Sequence, residues 1–356
     1  MATILDLVTP KSIAANWTEV ESNRVPFLGE ALFPARKKAG LDLAWLKGNR
    51  GLPVSLMPTA FDAKATFRDR PGVTKTETEM PFFREGFKIK EKDRQDMLRV
   101  RDANDPYMDE ILSHIYDDSA ELIEGANVVP ERMIMSLLFA NTGNAQITFN
   151  ANGVSYAYNY DSGSAWKTAN YAALTTTALW SATATADPIA DMQAVQNAAR
   201  AATGTEIRRA IMNSTTFNAM AATAALKNRF ITANGLAVGY LTNREVAQLI
   251  EATLGITVIV YDKQYKDESG TAHKFVPDGY VCFVPEGPLG NTWYGTTPEE
   301  ADLMGSGIAQ VSVVHTGVAI SREVQQHPVN VNIFASEIVL PSFERMDEVY
   351  LRKVLA

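Results

Sequence analysis

The chain has 356 residues, 46% of them hydrophobic and 21% charged, with a formal net charge of -8. That length can bury a large core, about two domains' worth, and no apolar run approaches the ~18 residues of a membrane span. The start lacks the charged-then-apolar layout of a signal peptide, and the single cysteine, Cys282, lies in an apolar strand pattern, which predicts a buried thiol in a reducing cytosol.

Residues 1–35 carry Ile4, Leu5, Leu7, Val8, Ile13 and Trp17 without a sustained period, and Pro10, Pro26 and Pro34 interrupt them. Short helical turns fit near residues 11–19, but the prolines favour an extended arm whose apolar residues need a surface to cover, on another subunit. From residue 36 to 99 the chain changes character. Residues 41–46 alternate as a strand, and Gly48-Asn49-Arg50-Gly51 is a turn cluster. A polar, charged stretch over 59–78 contains Arg68-Asp69-Arg70-Pro71-Gly72, and residues 79–89 read as the return strand. Such a long two-stranded excursion is marginal in water by itself and needs something to lie on. Residues 1–100 hold 17 Lys+Arg against 13 Asp+Glu, and the remainder 16 against 28. An acidic body argues against a nucleic-acid binder. It fits a basic arm lying on the acidic surface of a neighbouring copy, with ordinary scatter of surface charge as the alternative.

Residues 105–141 form the longest regular element, a spine helix. Met108, Ile111, Leu112, Ile115 and Leu122 mark a buried face, Asp117, Asp118, Glu121 and Glu124 the solvent side, and Gly125 with Pro130 predicts a kink or break near Val129. Residues 145–158 alternate around Asn152-Gly153, a hairpin signature. An Ala/Thr/Ser-rich connection (161–187) leads to a helix capped by Asp187-Pro188 and ending near Gly204. A strand at 208–213, a helix from Ser214 toward Ala225 and a helix over 243–254 capped at Thr242 or Asn243 come next. The β-branched strand 256–261 and a strand at 280–284 indicate a mixed domain of about 120 residues. Further strands are predicted around 311–320, 329–340 and 347–355.

No chemistry stands out. His114, His273, His315 and His327 are far apart, and with one cysteine no zinc pattern can be built. Asp117-Asp118 point about 100° apart on a helix and read as a solvated face. No phosphate-binding glycine loop and no nucleophile elbow occurs. No catalytic, cofactor-binding or metal residue is therefore expected, and no cofactor.

Residues 256–295, ITVIVYDKQYKDESGTAHKFVPDGYVCFVPEGPLGNTWYG, carry a recognisable combination: Tyr261, Gln264-Tyr265, Phe275, Pro277-Asp278 and Tyr294-Gly295. The block resembles the late region of the lambda-like phage major capsid proteins, family E, and the ending from Ala335 through Pro341 to Ala356 is similar too. The Ala/Thr-rich stretch 161–187 departs from the pattern. The resemblance implies an α+β chain of the Hong-Kong-97-like capsid fold. Its parts are an N-terminal arm (1–40), an extended β-hairpin loop (41–92), a peripheral domain with the spine helix (93–186 with 307–329) and an axial domain (187–306 with 330–356). It further implies a non-enzymatic shell subunit forming hexamers and pentamers around double-stranded DNA, built in the host bacterial cytoplasm. Its partners would be other copies of itself, a scaffolding protein, a portal and a decoration protein, with no membrane. Trp17, Arg68, Arg70 and Lys75 are the candidate intersubunit contacts. An encapsulin-type nanocompartment, or a soluble enzyme with a scattered site, are the alternatives.

Overall fold

The computed structural model of the chain describes residues 8–21, 24–48, 73–91, 95, 107–140, 143–151, 153–234, 241–307, 309–327 and 329–356. Helices α1 (Pro10–Glu21) and α2 (Leu28–Leu32) precede strands β1 (Ala35–Lys37), β2 (Asp42–Gly48), β3 (Val73–Glu79) and β4 (Phe82–Ile89). The long helix α3 (Tyr107–Leu138) is followed by β5 (Gln146–Ala151), β6 (Val154–Asn159), α4 (Ala165–Asn170), β7 (Tyr171–Ala173) and α5 (Pro188–Thr203). Then come β8 (Ile207–Met212), α6 (Ser214–Ala221), α7 (Ala224–Asn234), α8 (Asn243–Leu254) and β9 (Thr257–Val260). The chain closes with β10 (Gln264–Lys266), β11 (Ala272–Lys274), β12 (Tyr280–Pro285), β13 (Asn291–Tyr294), a π turn (Glu299–Leu303), β14 (Gln310–Val314), β15 (Val318–Gln326), β16 (Val329–Ser342) and β17 (Tyr350–Lys353).

Two compact units result: residues 1–44, 77–133 and 290–342 in one, residues 45–76, 134–289 and 343–356 in the other. Strand β16 hydrogen-bonds to β15 along one edge and to β4 and β13 along the other, so 290–306 and 330–342 join the first unit. The connection at 161–187 contains α4 and β7, and β7 pairs in parallel with β17, which draws it into the second unit.

In the first unit the sheet order is β1-β13-β16-β15-β14, with β4 also on β16. Val314, Ile320, Val331 and Ile333 pack against Ile13 and Trp17 of α1 and Ile115 and Ile123 of α3. The expected arm is thus a helix at 10–21, because Pro10 sits at its first position, where the missing N–H costs nothing. Thr9 and Ser12 cap it reciprocally: the Thr9 hydroxyl accepts from Ser12 N at 3.1 Å and the Ser12 hydroxyl from Thr9 N at 3.0 Å. Along α3 the buried line is Ile115, Ser119, Ile123, spaced four apart, while Leu122 is half-buried. Ser119 is tolerated there because its hydroxyl donates to Ile115 O at 2.7 Å. Side chains of Met108, Ile111 and Leu112 lie outside the described residues. The helix continues through Pro130 instead of breaking. Of the expected return strand 79–89, Glu79 ends β3, which pairs with β2, and after Met80-Pro81 the rest is β4, which pairs with β16 from Phe82↔Ile338 to Ile89↔Val331.

The second unit is built on a sheet of order β7-β17-β12-β8-β9. Met192, Val195, Phe217, Met220 and Ile250 from the helices close its core against Ile207, Val281, Phe283 and Tyr350. Asp187 caps α5 by accepting from Ala190 N at 3.2 Å, and Gly204 ends the helix at φ +70°. Thr242 and Glu245 form a capping box on α8. The helix expected to run toward Ala225 stops at Ala221; the Thr223 hydroxyl donates to Met220 O at 2.8 Å, and α7 begins at Ala224.

Candidate assembly elements and the identity they define

Because the sequence offers no reactive constellation, the residues that matter are those that hold lightly cored segments in place. The N-terminal segment is tied down along its length within the first unit. Arg322 donates to Val8 O at 2.8 Å, Arg24 bridges Glu30 at 3.0 Å and Glu124 at 3.2 Å, and Gly29 N donates to the buried Glu131 carboxylate at 2.8 Å. Strand β1 then runs parallel to β13, and Lys37 reaches Glu300 at 2.5 Å. Trp17 is 2% exposed within its own chain and its indole N–H donates to His315 Nε2 at 2.6 Å. Residues four apart on a short helix, Ile13 and Trp17, make one apolar face that packs within the same chain. Arg68 and Arg70 lie outside the described residues. Lys75 is on β3, its side chain outside them.

Strand β4 is held on the sheet by a second set of contacts. Arg84 forms an ion pair with the buried carboxylate of Glu299 on the π turn, whose other oxygen accepts from Ser336 at 2.9 Å. Gly86 permits the close approach to β16: a Cβ there would lie 2.4 Å from the Phe334 ring and 2.6 Å from Ile333 O. Among the described residues of this unit, Glu337 is the buried side chain that leaves two polar atoms without a partner. Glu337, 1% exposed, faces inward with neither carboxylate oxygen hydrogen-bonded, and burial pushes its pKa well above the ordinary 4.5. The sequence does contain the signal for it, a lone carboxylate in the apolar run Ile333–Leu340.

In the second unit the residues that carried the resemblance have structural work. Tyr265 packs on Phe275 with ring centroids 4.9 Å apart, and Tyr261 on the same ring at 6.1 Å. Asp278 accepts from Lys274 at 2.9 Å and from Asn213, whose Oδ1 caps α6. The β10–β11 turn is closed by Asp267, held below the usual carboxylate range by the Ser269 hydroxyl and then by His273. Cys282 is fully buried in the centre of the sheet, and burial alone raises its thiol pKa, which removes it as a nucleophile. A small cleft between Trp180 and Arg352 has its polar groups committed: Trp180 donates to Asp191 at 2.9 Å and Arg352 to Asn170 O at 2.7 Å. Among the described residues no group of three or more His, Cys, Asp or Glu could hold a metal ion, and no helix is long and apolar enough to cross a membrane.

Solved structures similar to this chain include phage proteins. A prophage protein of E. coli CFT073 described as a capsid protein aligns with a TM-score of 0.60 at 14% identity, covering 98% of this chain and 99% of that one. A phage-related protein from Bordetella bronchiseptica RB50 gives 0.54 at 14% identity, with 97% of each chain covered. The capsid asymmetric unit of cyanophage A-1(L) gives 0.50 at 12%, with 91% of each covered. No curated protein matches the chain. The fold is therefore the Hong-Kong-97-like capsid fold. Residues 9–353 match the model of the family described as phage major capsid protein E, and the chain belongs to that family. Its role is structural, as a component of the virion capsid, and the nanocompartment alternative is not favoured.

Proposed function

We propose that this chain is the repeating subunit of a tailed-phage head, closing as hexamers and pentamers into an icosahedral shell around double-stranded DNA. The family match over nearly the whole chain carries this reading. Copies assemble in the host bacterial cytoplasm with a scaffolding protein, a portal and a decoration protein, and no catalytic step is needed. An acidic body suits a container that must release its genome, since it offers the phosphate backbone little attraction. Arg68, Arg70 and Lys75 meet carboxylates of a neighbouring copy, and Asp117, Asp118 and Glu121, exposed on α3, have the right charge. Negative-stain microscopy of the purified chain, alone and co-expressed with the scaffold, tests the shell. Closed particles are expected, and only small oligomers under both conditions would overturn it. Reversing the three basic residues to Glu should abolish particles while leaving the subunit's melting temperature unchanged. Normal particles from that variant would remove those residues from the interface.

A further inference from the structure

The turn between β14 and β15 holds a histidine in an unusual position. His315 has φ +53°, in the left-handed region that a residue with a Cβ seldom occupies. The turn is pinned two residues on, where Gly317 lies so close to the Tyr294 ring that a Cβ would sit 2.2 Å from it. Nε2 of His315 is 2.6 Å from the Trp17 indole nitrogen and 3.3 Å from Oε1 of Glu21. One nitrogen thus faces a donor and an acceptor, and it can serve only one of them at a time. In the neutral ring with its hydrogen on Nδ1, Nε2 accepts from the indole N–H. In the protonated ring Nε2 carries a hydrogen, which meets the indole hydrogen head-on and is drawn to Glu21 instead. Trp17 then keeps a buried N–H without a partner, a costly state for a buried donor.

We propose that His315 is a pH-operated latch: its neutral ring holds helix α1 against the β14–β15 turn, and its protonated ring releases the helix. Histidine is the side chain best suited to change charge near physiological pH. Glu21 is the charged group within ion-pair distance of the ring. The other charged groups on the elements packed around the turn are committed elsewhere or exposed. Arg24, whose guanidinium carbon lies 5.9 Å from the centre of the Trp17 ring, bridges Glu30 and Glu124, Arg322 holds Val8 O, Glu299 is taken by Arg84 and Ser336, and Glu300 by Lys37. Lys11 and Asp302 are exposed, as is Glu19 along α1. Release uncovers Ile13, Trp17 and the strip of sheet beneath them. The latch belongs to the folded subunit and does not depend on how many copies close a shell.

Amide hydrogen exchange on the purified full chain tests this. Protection of residues 10–21, corrected for intrinsic exchange, should fall roughly tenfold between about pH 7.5 and about pH 5, while α5 in the second unit keeps its protection. His315→Gln, which can accept from the indole but cannot be protonated, should make the profile flat. Trp17→Phe, with no N–H to orphan, should flatten it too, which guards against a His315 variant that does not fold. The Trp17 indole proton resonance, assigned by its loss in Trp17→Phe, should move with the same midpoint as the exchange. Unchanged protection across that range in the wild type, or an undiminished pH response in both variants, would overturn the proposal.

Discussion

Replacing Glu337 by Gln removes a titration while keeping the shape of the side chain, which makes its effect on stability a direct measure of the buried proton. In the folded chain both oxygens are without partners and the side chain is sealed from water. The unfolded chain ionises at the ordinary value of 4.5, while burial holds the folded chain protonated well above that. Between those two pH values the folded state binds one more proton than the unfolded state, so stability must fall as pH rises. The slope is about 1.4 kcal/mol per pH unit for one proton. It begins near 4.5 and ends where the folded carboxyl finally ionises. Against a stability of ~5–15 kcal/mol for a typical domain, even one unit of that slope is measurable. Urea unfolding of the isolated subunit at closely spaced pH values should show the wild type losing ground to Glu337→Gln by that slope, with the two curves meeting below 4.5. Glu337→Leu should be at least as stable as wild type near neutral pH, since it replaces two desolvated oxygens by carbon. Parallel pH profiles for wild type and the Gln variant would refute the reasoning, because they would mean the carboxyl is equally solvated in both states.

Ile123→Asp places an unpartnered carboxyl where α3 meets the sheet and should cost about 3–5 kcal/mol by urea unfolding, whereas His114→Ala on the exposed side should stay within about 0.5 kcal/mol. Gly86→Ala drives a methyl into Phe334 and the backbone of β16, so a loss of about 2–3 kcal/mol is expected, with amide exchange rising first in β4. Asn213→Ala removes the α6 cap and the donor to Val276 O at 3.2 Å, and should lower stability by about 2 kcal/mol in thermal unfolding.

Elements set by near neighbours in the chain were legible without the fold. The Asp187-Pro188 cap of α5, its Gly204 ending, the capping box before α8 and the hairpin around Gly153 all depend on residues within a few positions of each other. The same is true of the β-branched strand at 257–260 and of the aromatic run that carried the family resemblance. The long helix was readable as an element, though its buried line ran through Ile123 and not Leu122: a few apolar positions define a stripe only coarsely, and the sheet beneath chose between adjacent residues. Pro10 was ambiguous for a related reason. A proline breaks a helix or begins one, and the reciprocal Thr9–Ser12 bonds together with a docking surface for Ile13 and Trp17 decided for the second. What the tertiary structure alone decided is the pairing of segments far apart in sequence. Residues 79–89 look like one strand, yet the partner for Phe82–Ile89 lies on β16, about 250 residues away, and hydrogen-bond ladders leave no local trace of the partner they find. Likewise the composition shows that Glu337 sits among apolar residues, but only the packed sheet determines that no donor reaches it, and only the β14–β15 turn brings His315 between an indole N–H and a carboxylate.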